Sequence, residues 1–286
     1  MSLSALSRAE LNDKDQATLH NTVAVIDEAI RSLREISNNL SPHVLNSFGL
    51  ARGIKNFGTL IVDGNVTITN IDTNGGAAIW NEGKVTINNG TFTTNASAGE
   101  GSYGAALNTR AGGEAIVNSG TFVANSQLTY AIVNEGKTTI YDADVQGKHG
   151  AVAGSTTVET VIYGGTYALL ENPGVSDHCA YMVSAIYGGT FTLGNNTDCG
   201  AQVFYKSTIA AGYKAIEKDG KYYVVPAEAE AVATTAEELR EALKNNQNVV
   251  LYADVITTDA LSNGYGATGI NVNGGVFDGN GYKLVV

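Results

Sequence analysis

The stretch Lys84-Val-Thr-Ile-Asn-Asn-Gly-Thr-Phe92 decides the fold. It returns, altered, as Glu114-Ala-Ile-Val-Asn-Ser-Gly-Thr-Phe122, Lys137-Thr-Thr-Ile-Tyr-Asp-Ala-Asp-Val145, Glu159-Thr-Val-Ile-Tyr-Gly-Gly-Thr-Tyr167 and Met182-Val-Ser-Ala-Ile-Tyr-Gly-Gly-Thr-Phe191. A looser copy is Gly58-Thr-Leu-Ile-Val-Asp-Gly-Asn-Val66. The closing aromatic or valine falls at 66, 92, 122, 145, 167 and 191, in steps of 26, 30, 23, 22 and 24 residues. Imperfect repeats of this period signify a solenoid. Within each copy, Thr, Val, Ile, Tyr and Phe alternate with small or polar residues, the pattern of a strand, and Gly-Thr or Gly-Gly interrupts it at a fixed place. The repeats specify an architecture; no reaction can be read from them.

A second short strand precedes three of the copies, at Ala77-Ala-Ile-Trp-Asn81, Ala105-Ala-Leu-Asn108 and Ala131-Ile-Val-Asn134. Asn81, Asn108 and Asn134 recur at steps of 27 and 26 residues, so they are expected to stack as an amide ladder. Gly83 and Gly136, in two identical Asn-Glu-Gly-Lys stretches, are expected to supply a positive φ. No crossover helix fits between such short strands, so the chain should close into a parallel coil rising about 4.8 Å per turn. Over residues 58–225 this resembles the right-handed parallel β-helix of the pectate-lyase-like superfamily, a likeness that speaks to fold and not to function. The rival solenoid, a leucine-rich repeat, lacks its Leu-x-x-Leu-x-Leu spacing.

The chain has 286 residues and a formal charge of −11. Residues 1–57 hold six Lys/Arg and six Asp/Glu, so the remainder carries the whole excess. An acidic solenoid is a poor partner for nucleic acid, which demands clustered positive charge, and for anionic membranes. No run of about 18 apolar residues exists to span a bilayer, and Met1-Ser-Leu-Ser-Ala5 does not read as a signal peptide. Cys179 and Cys199 could form a disulfide or remain two half-buried thiols. No Cys/His spacing suggests zinc, and no cofactor is expected.

Residues 1–57 follow a different rule. Apolar residues recur at threes and fours from Ala5 to Leu40, which predicts a helical hairpin whose long helix starts at Asp15 and stops at Ser41-Pro42. Its seam, Val23, Ile26, Ile30, Leu33 and Leu40, is too apolar to stay in water and is expected to form a homodimer. The run from Ile26 to Leu50, containing Leu33-Arg-Glu-Ile-Ser37, Leu40-Ser-Pro42 and Gly49-Leu50, resembles the second helix of a dimerisation and histidine-phosphotransfer domain. The likeness is to bacterial sensor kinases that pair with LuxR-type regulators. It implies a dimerisation surface without phosphotransfer, because His20 and His43 do not match the phosphoacceptor position and no ATP-binding text follows. A kinase-like helix joined to an acidic β-helix reads as a fusion, with a natural gene carrying a borrowed oligomerisation stalk as the alternative. The two parts point to different places: the β-helix to a cell surface or secretion, the helices to the cytoplasmic side of a sensor.

Beyond Phe191 the repeat fades. Gly212–Val225 reads as a hairpin turning at Asp219-Gly220, placed to blunt the last sheet edge. Residues 226–233 read as a linker and 234–245 as a helix with a Thr235/Glu238 capping box and an apolar face of Leu239, Ala242 and Leu243. Strands at Val249–Asp254 and around Ile270–Asn280 complete a module over 226–286 that resembles the amino-terminal cap of β-helix proteins. It is expected to stack on an open β-helix end, in trans or as a second solenoid start. The fold class expected is therefore mainly β: a parallel β-helix with an N-terminal α-helical hairpin (1–57) and a C-terminal helix-plus-strands cap-like module.

Few residues carry candidate chemistry. Tyr163 and Tyr187 share the Ile-Tyr-Gly-Gly register and are expected either to stack as an exposed pair facing a glycan or to pack laterally between coils. Asp142 and Asp144 could form a carboxylate pair or a calcium site, though Asp144 also suits a turn. His149 and His178 read as surface and strand residues; His178 and Cys179, being adjacent, should face opposite ways. Relatives that cleave polygalacturonate use clustered Asp with Arg or Lys, and between 58 and 233 the chain has a single arginine, Arg110. The expected function is a non-catalytic structural or binding solenoid in contact with glycans. A polysaccharide lyase or hydrolase is one alternative, and a fragment of a two-component sensor kinase is the other.

Overall fold

The computed structural model describes Thr22 and residues 53–71, 76–95, 104–125, 129–170, 178–193, 202–256 and 275–285. The chain divides into two units, 1–49 and 50–286, and every described residue except Thr22 belongs to the second. The expected hairpin, with Val23, Ile26, Ile30, Leu33, Leu40, His20 and His43, lies outside the described residues.

Residues 54–209 form a parallel β-helix with three short strands per coil. Sheet 1 stacks Ile54–Asn56, Ile79–Asn81, Leu107–Thr109, Tyr130–Asn134, Gly150–Ala153, His178–Tyr181 and Gln202–Tyr205, seven turns in all. Sheet 2 stacks Thr59–Val62, Lys84–Ile87, Glu114–Val117, Lys137–Ile140, Thr160–Ile162 and Ala185–Ile186, and a single bridge from Ile186 to Ile209 adds a last rung. Sheet 3 stacks Thr67–Asn70, Thr91–Thr94, Thr121–Ala124, Asp144–Gly147, Thr166–Leu169 and Thr190–Thr192. The repeated text supplies sheets 2 and 3, and its Gly-Thr interruption is the corner between them. The first solenoid strand, at Ile54, comes from residues the sequence assigns to the helical segment.

The aromatic slot forms the core. Phe92, Phe122, Val145, Tyr167 and Phe191 pair in succession and are wholly buried. The rings of Phe92 and Phe122 stack at 4.9 Å and those of Tyr167 and Phe191 at 4.7 Å, with Val145 between the two pairs. The buried Tyr167 hydroxyl donates to the Gly164 carbonyl at 2.8 Å, which satisfies its polar end. The first coil departs from expectation, because Ile68, not Val66, pairs with Phe92. Two one-residue offsets add up: Thr59, not Gly58, pairs with Lys84, and the corner Asp63-Gly64-Asn65-Val66 is one residue longer than Asn88-Asn89-Gly90, so Val66 stays in the corner.

Two other expectations are corrected. Gly83 and Gly136 do not adopt positive φ; that role falls to Gly90, Gly120, Gly165 and Gly189, with φ of 141°, 138°, 98° and 106°, just before the Thr of each slot. Gly83 is glycine for proximity: a Cβ there would lie 2.2 Å from the Gly58 carbonyl oxygen of the coil below. Asn108 is not in the amide ladder. Asn56, Asn81, Thr109 and Asn134 share that register, and Asn108 stands one residue earlier, opposite Trp80 and Val133. Asn56 donates to the Asn81 Oδ1 at 2.7 Å and Asn134 to the Thr160 hydroxyl at 2.8 Å.

The solenoid closes with the hairpin Tyr213–Lys218 and Lys221–Pro226, turning at Asp219 and Gly220, whose φ of 52° and 73° suit a type I′ turn. Lys221–Pro226 pairs antiparallel with Thr190–Thr192 and covers that edge of sheet 3. The C-terminal module packs on this hairpin within the chain, not on the first coil: Tyr223, Val225, Ala229, Val232 and Val250 form one buried cluster. Part of the expected linker, Ala231–Ala233, is a strand paired with Val249–Leu251, which pairs in turn with Phe277–Asp278. Val255–Ile256 pairs in the same parallel sense with Leu284–Val285. The helix Ala236–Lys244 buries Leu239, Ala242 and Leu243 as its periodicity predicts, and its N-cap Thr235 accepts from the Glu238 N–H at 3.3 Å.

Candidate functional site

The corner from sheet 2 to sheet 3 repeats one outward position on every coil. By register this position carries Asp63, Asn88, Asn118, Tyr141, Tyr163 and Tyr187. In the lower coils it is an amide ladder, with Asn118 donating to the Asn88 Oδ1 at 2.8 Å. In the upper coils it is a tyrosine pile. Tyr141 and Tyr163 stack at 5.1 Å, Tyr163 and Tyr187 at 5.0 Å, each tilted by 11°, and Tyr187 meets Tyr213 edge-on. The expected Tyr163–Tyr187 pair is thus part of a longer row, in which the rings pack between coils and Tyr163 keeps an exposed edge. Tyr141 and Tyr163 are about half exposed. Tyr141, at the end of the pile, has an aromatic neighbour on one face.

Asp142 follows Tyr141 in this corner, and Asp144 opens the next strand in the row otherwise held by Thr67, Thr91, Thr121, Thr166 and Thr190. Replacing the row's threonine with a carboxylate makes a local network. Asp144 accepts from the Thr166 hydroxyl at 3.0 Å and from the Gln146 amide at 3.0 and 3.1 Å. Beside the two aspartates lies an open cleft of about 210 Å³, lined also by Asn89, Ser119, Thr121 and Thr166. Its far wall is Tyr282 of the C-terminal module. Burial pushes the Tyr282 phenol above its ordinary range, and the charges of Asp142 and Asp254 push it further. The module is held there by Tyr252, whose hydroxyl donates to the Val224 carbonyl and whose ring packs edgewise on Tyr223 at 5.0 Å.

The sequence reading missed Tyr141 and Tyr282. Tyr141 was accessible: it stands four residues before Val145, as Tyr163 does before Tyr167 and Tyr187 before Phe191. Tyr282 carries no such sign, because it reaches the cleft only through the packing of another module.

The remaining candidates lie elsewhere. Cys179 points into the core as a free thiol 2.8 Å from the Thr192 carbonyl, so it forms no disulfide; burial pushes it up to about 12. Cys199 lies outside the described residues. His178 faces the opposite way. Its Nδ1 accepts from the Gln202 N–H at 3.1 Å, its ring stacks on Tyr205 at 4.2 Å, and burial lowers its basicity. His149 packs edgewise on Tyr130 at 4.9 Å. With Tyr181, these rings line the outer side of sheet 1. Among the described residues no three His, Cys, Asp or Glu side chains group as a metal site, and no helix is long and apolar enough to cross a membrane.

No family model, curated protein or solved structure matches the chain. The kinase likeness of residues 1–57 and the pectate-lyase-like likeness of the solenoid therefore gain no support from a relative, while the parallel β-helix itself stands on the strand pairing.

Proposed function

We propose that this β-helix is a non-catalytic binding solenoid that holds a glycan in the cleft between Asp142, Asp144 and Tyr282. The observation that carries this reading is convergence: hydrogen-bonding groups of four coils and a phenol from a separate module line one open cleft, next to exposed tyrosine edges. Sugars need just this mixture of dense hydroxyl partners and aromatic carbon. Titration calorimetry with a set of tetrasaccharides tests the reading. Binding to at least one should weaken by about tenfold or more in Tyr282→Ala and Thr166→Val. A protein that binds none of them, or variants that bind as the parent does, would end it.

Polysaccharide cleavage is the weaker reading, since Asp144 is already engaged as an acceptor by Thr166 and Gln146. We also propose that Val23, Ile26, Ile30, Leu33 and Leu40 pair two chains. Light scattering should then give twice the 29.7 kDa chain mass, and Ile30→Glu should give monomers or aggregates; a monomeric parent would refute the pairing.

A further inference from the structure

Resting on the glycan reading above, we propose that the cleft discriminates by charge: it takes neutral or amino sugars and rejects uronic acids. Its described lining includes the carboxylates of Asp142 and Asp144 and no lysine or arginine. Asp254 adds a third carboxylate close enough to act on the Tyr282 phenol. The nearest basic residue in sequence, Lys283, is not among the lining residues. Several of the solenoid's basic groups are paired elsewhere, Lys84 with Glu114 at 3.2 Å, Lys137 with Glu159 at 3.1 Å, and Arg110 with Glu135 at 2.6 Å, and neither Lys148 nor Lys206 is among the lining residues. These pairs sit at the start of sheet 2 and at the corner before it, away from the cleft. The wider field has the same sign, since the formal charge is −11.

A uronate entering the cleft would bring its carboxylate beside those of Asp142 and Asp144, with no lysine or arginine among the lining residues to receive it. Like charges at close range repel even in bulk water, and more strongly where protein displaces solvent. Neutral hydroxyls meet no such barrier. Asp142, with Ser119 on the next coil and Asn89 on the one beyond, can accept from a sugar hydroxyl or, more strongly, from an ammonium group.

The test compares three tetrasaccharides at low salt and pH 6: cellotetraose (neutral), the glucosamine tetramer (cationic) and tetragalacturonate (anionic). The glucosamine tetramer should bind best and tetragalacturonate at least about tenfold more weakly than cellotetraose. The spread should narrow in roughly 0.5 M salt, where screening shortens the reach of the charges. In the double variant Asp142→Asn, Asp144→Asn the preference for the cationic ligand over cellotetraose should fall to near unity. Circular dichroism and thermal melting of the same variant show that the fold is kept, and the preference is read as the ratio of the two affinities, whatever loss is common to both. Tetragalacturonate binding as tightly as cellotetraose would overturn the charge selection and leave the glycan reading standing. So would a cationic preference unchanged in the double variant, which would assign it to the protein's overall charge. If none of the three binds, both the selection and the glycan reading fall.

Discussion

Phe122 is buried between Phe92 below it and Val145 above it, and its environment is the one the repeats foretold. Phe122→Ala should destabilise by about 3–5 kcal/mol in urea denaturation, through lost transfer energy and the cavity left behind; a change under about 1 kcal/mol would mean that the slot is not a packed column. The glycines separate two roles that look alike in sequence. Gly83→Ala should cost about 1–3 kcal/mol, because its Cβ would press on the Gly58 carbonyl oxygen and the coils would have to part. Gly58→Ala, with nothing within 4 Å of its Cβ, should stay within about 0.5 kcal/mol. Equal effects would refute the close-approach account. At this scale the sequence revealed the aromatic slot but not the length of each corner. A one-residue shift of the first sheet 2 strand and one extra residue between Val62 and Thr67 together moved Val66 out and Ile68 in, and Asn108 fell one place from the ladder to which its spacing pointed. Repeats of unequal length fix a column only once the corners are known.

The terminal helix and hairpin show how far local signals reach. Thr235, Leu239, Ala242, Leu243 and the Asp219-Gly220 turn were all legible, since capping, helical periodicity and turn chemistry act within a few residues. The second half of the capping box was not. Glu238 bonds the backbone N–H and hydroxyl of Thr234, at 2.8 and 2.9 Å, and pairs with Lys218 of the hairpin. Burial works to raise the Glu238 carboxyl, but Lys218 and Thr234 outweigh it and bring it to about 2. A carboxylate depressed in the folded state stabilises above its unfolded value, near 4.5, and loses that contribution as pH falls toward 2. The group is partly exposed, so the contribution at pH 7 is about 1 kcal/mol after screening. Glu238→Gln should therefore be less stable than the parent at pH 7, with the gap closing between about pH 4.5 and 2. A gap that persists at the acid end of that window would assign the effect to packing.

Across the whole molecule, the solenoid was legible because stacking repeats a short text, and the C-terminal module's docking was not, because nothing in residues 226–286 names the surface they meet. That surface is the hairpin. A chain ending at Val225 should keep its coils but expose Tyr223 and Val225, and should melt several degrees lower than the full chain; an equal melting temperature would show that the module covers nothing of consequence. The same asymmetry governs the cleft. Asp142 and Asp144 of its lining, like Tyr163 and Tyr187 of the tyrosine pile, could be found from the repeat register, whereas Tyr282 arrives only by the packing of a distant segment. The most direct check is therefore an NMR titration of the intact protein, with isotope-labelled threonine methyls and tyrosine rings, using cellotetraose. The account predicts shifts concentrated at Thr121, Thr166, Tyr141, Tyr163 and Tyr282. Shifts centred instead on Tyr130, Tyr181 and Tyr205 of sheet 1, or no shifts at millimolar sugar, would contradict it.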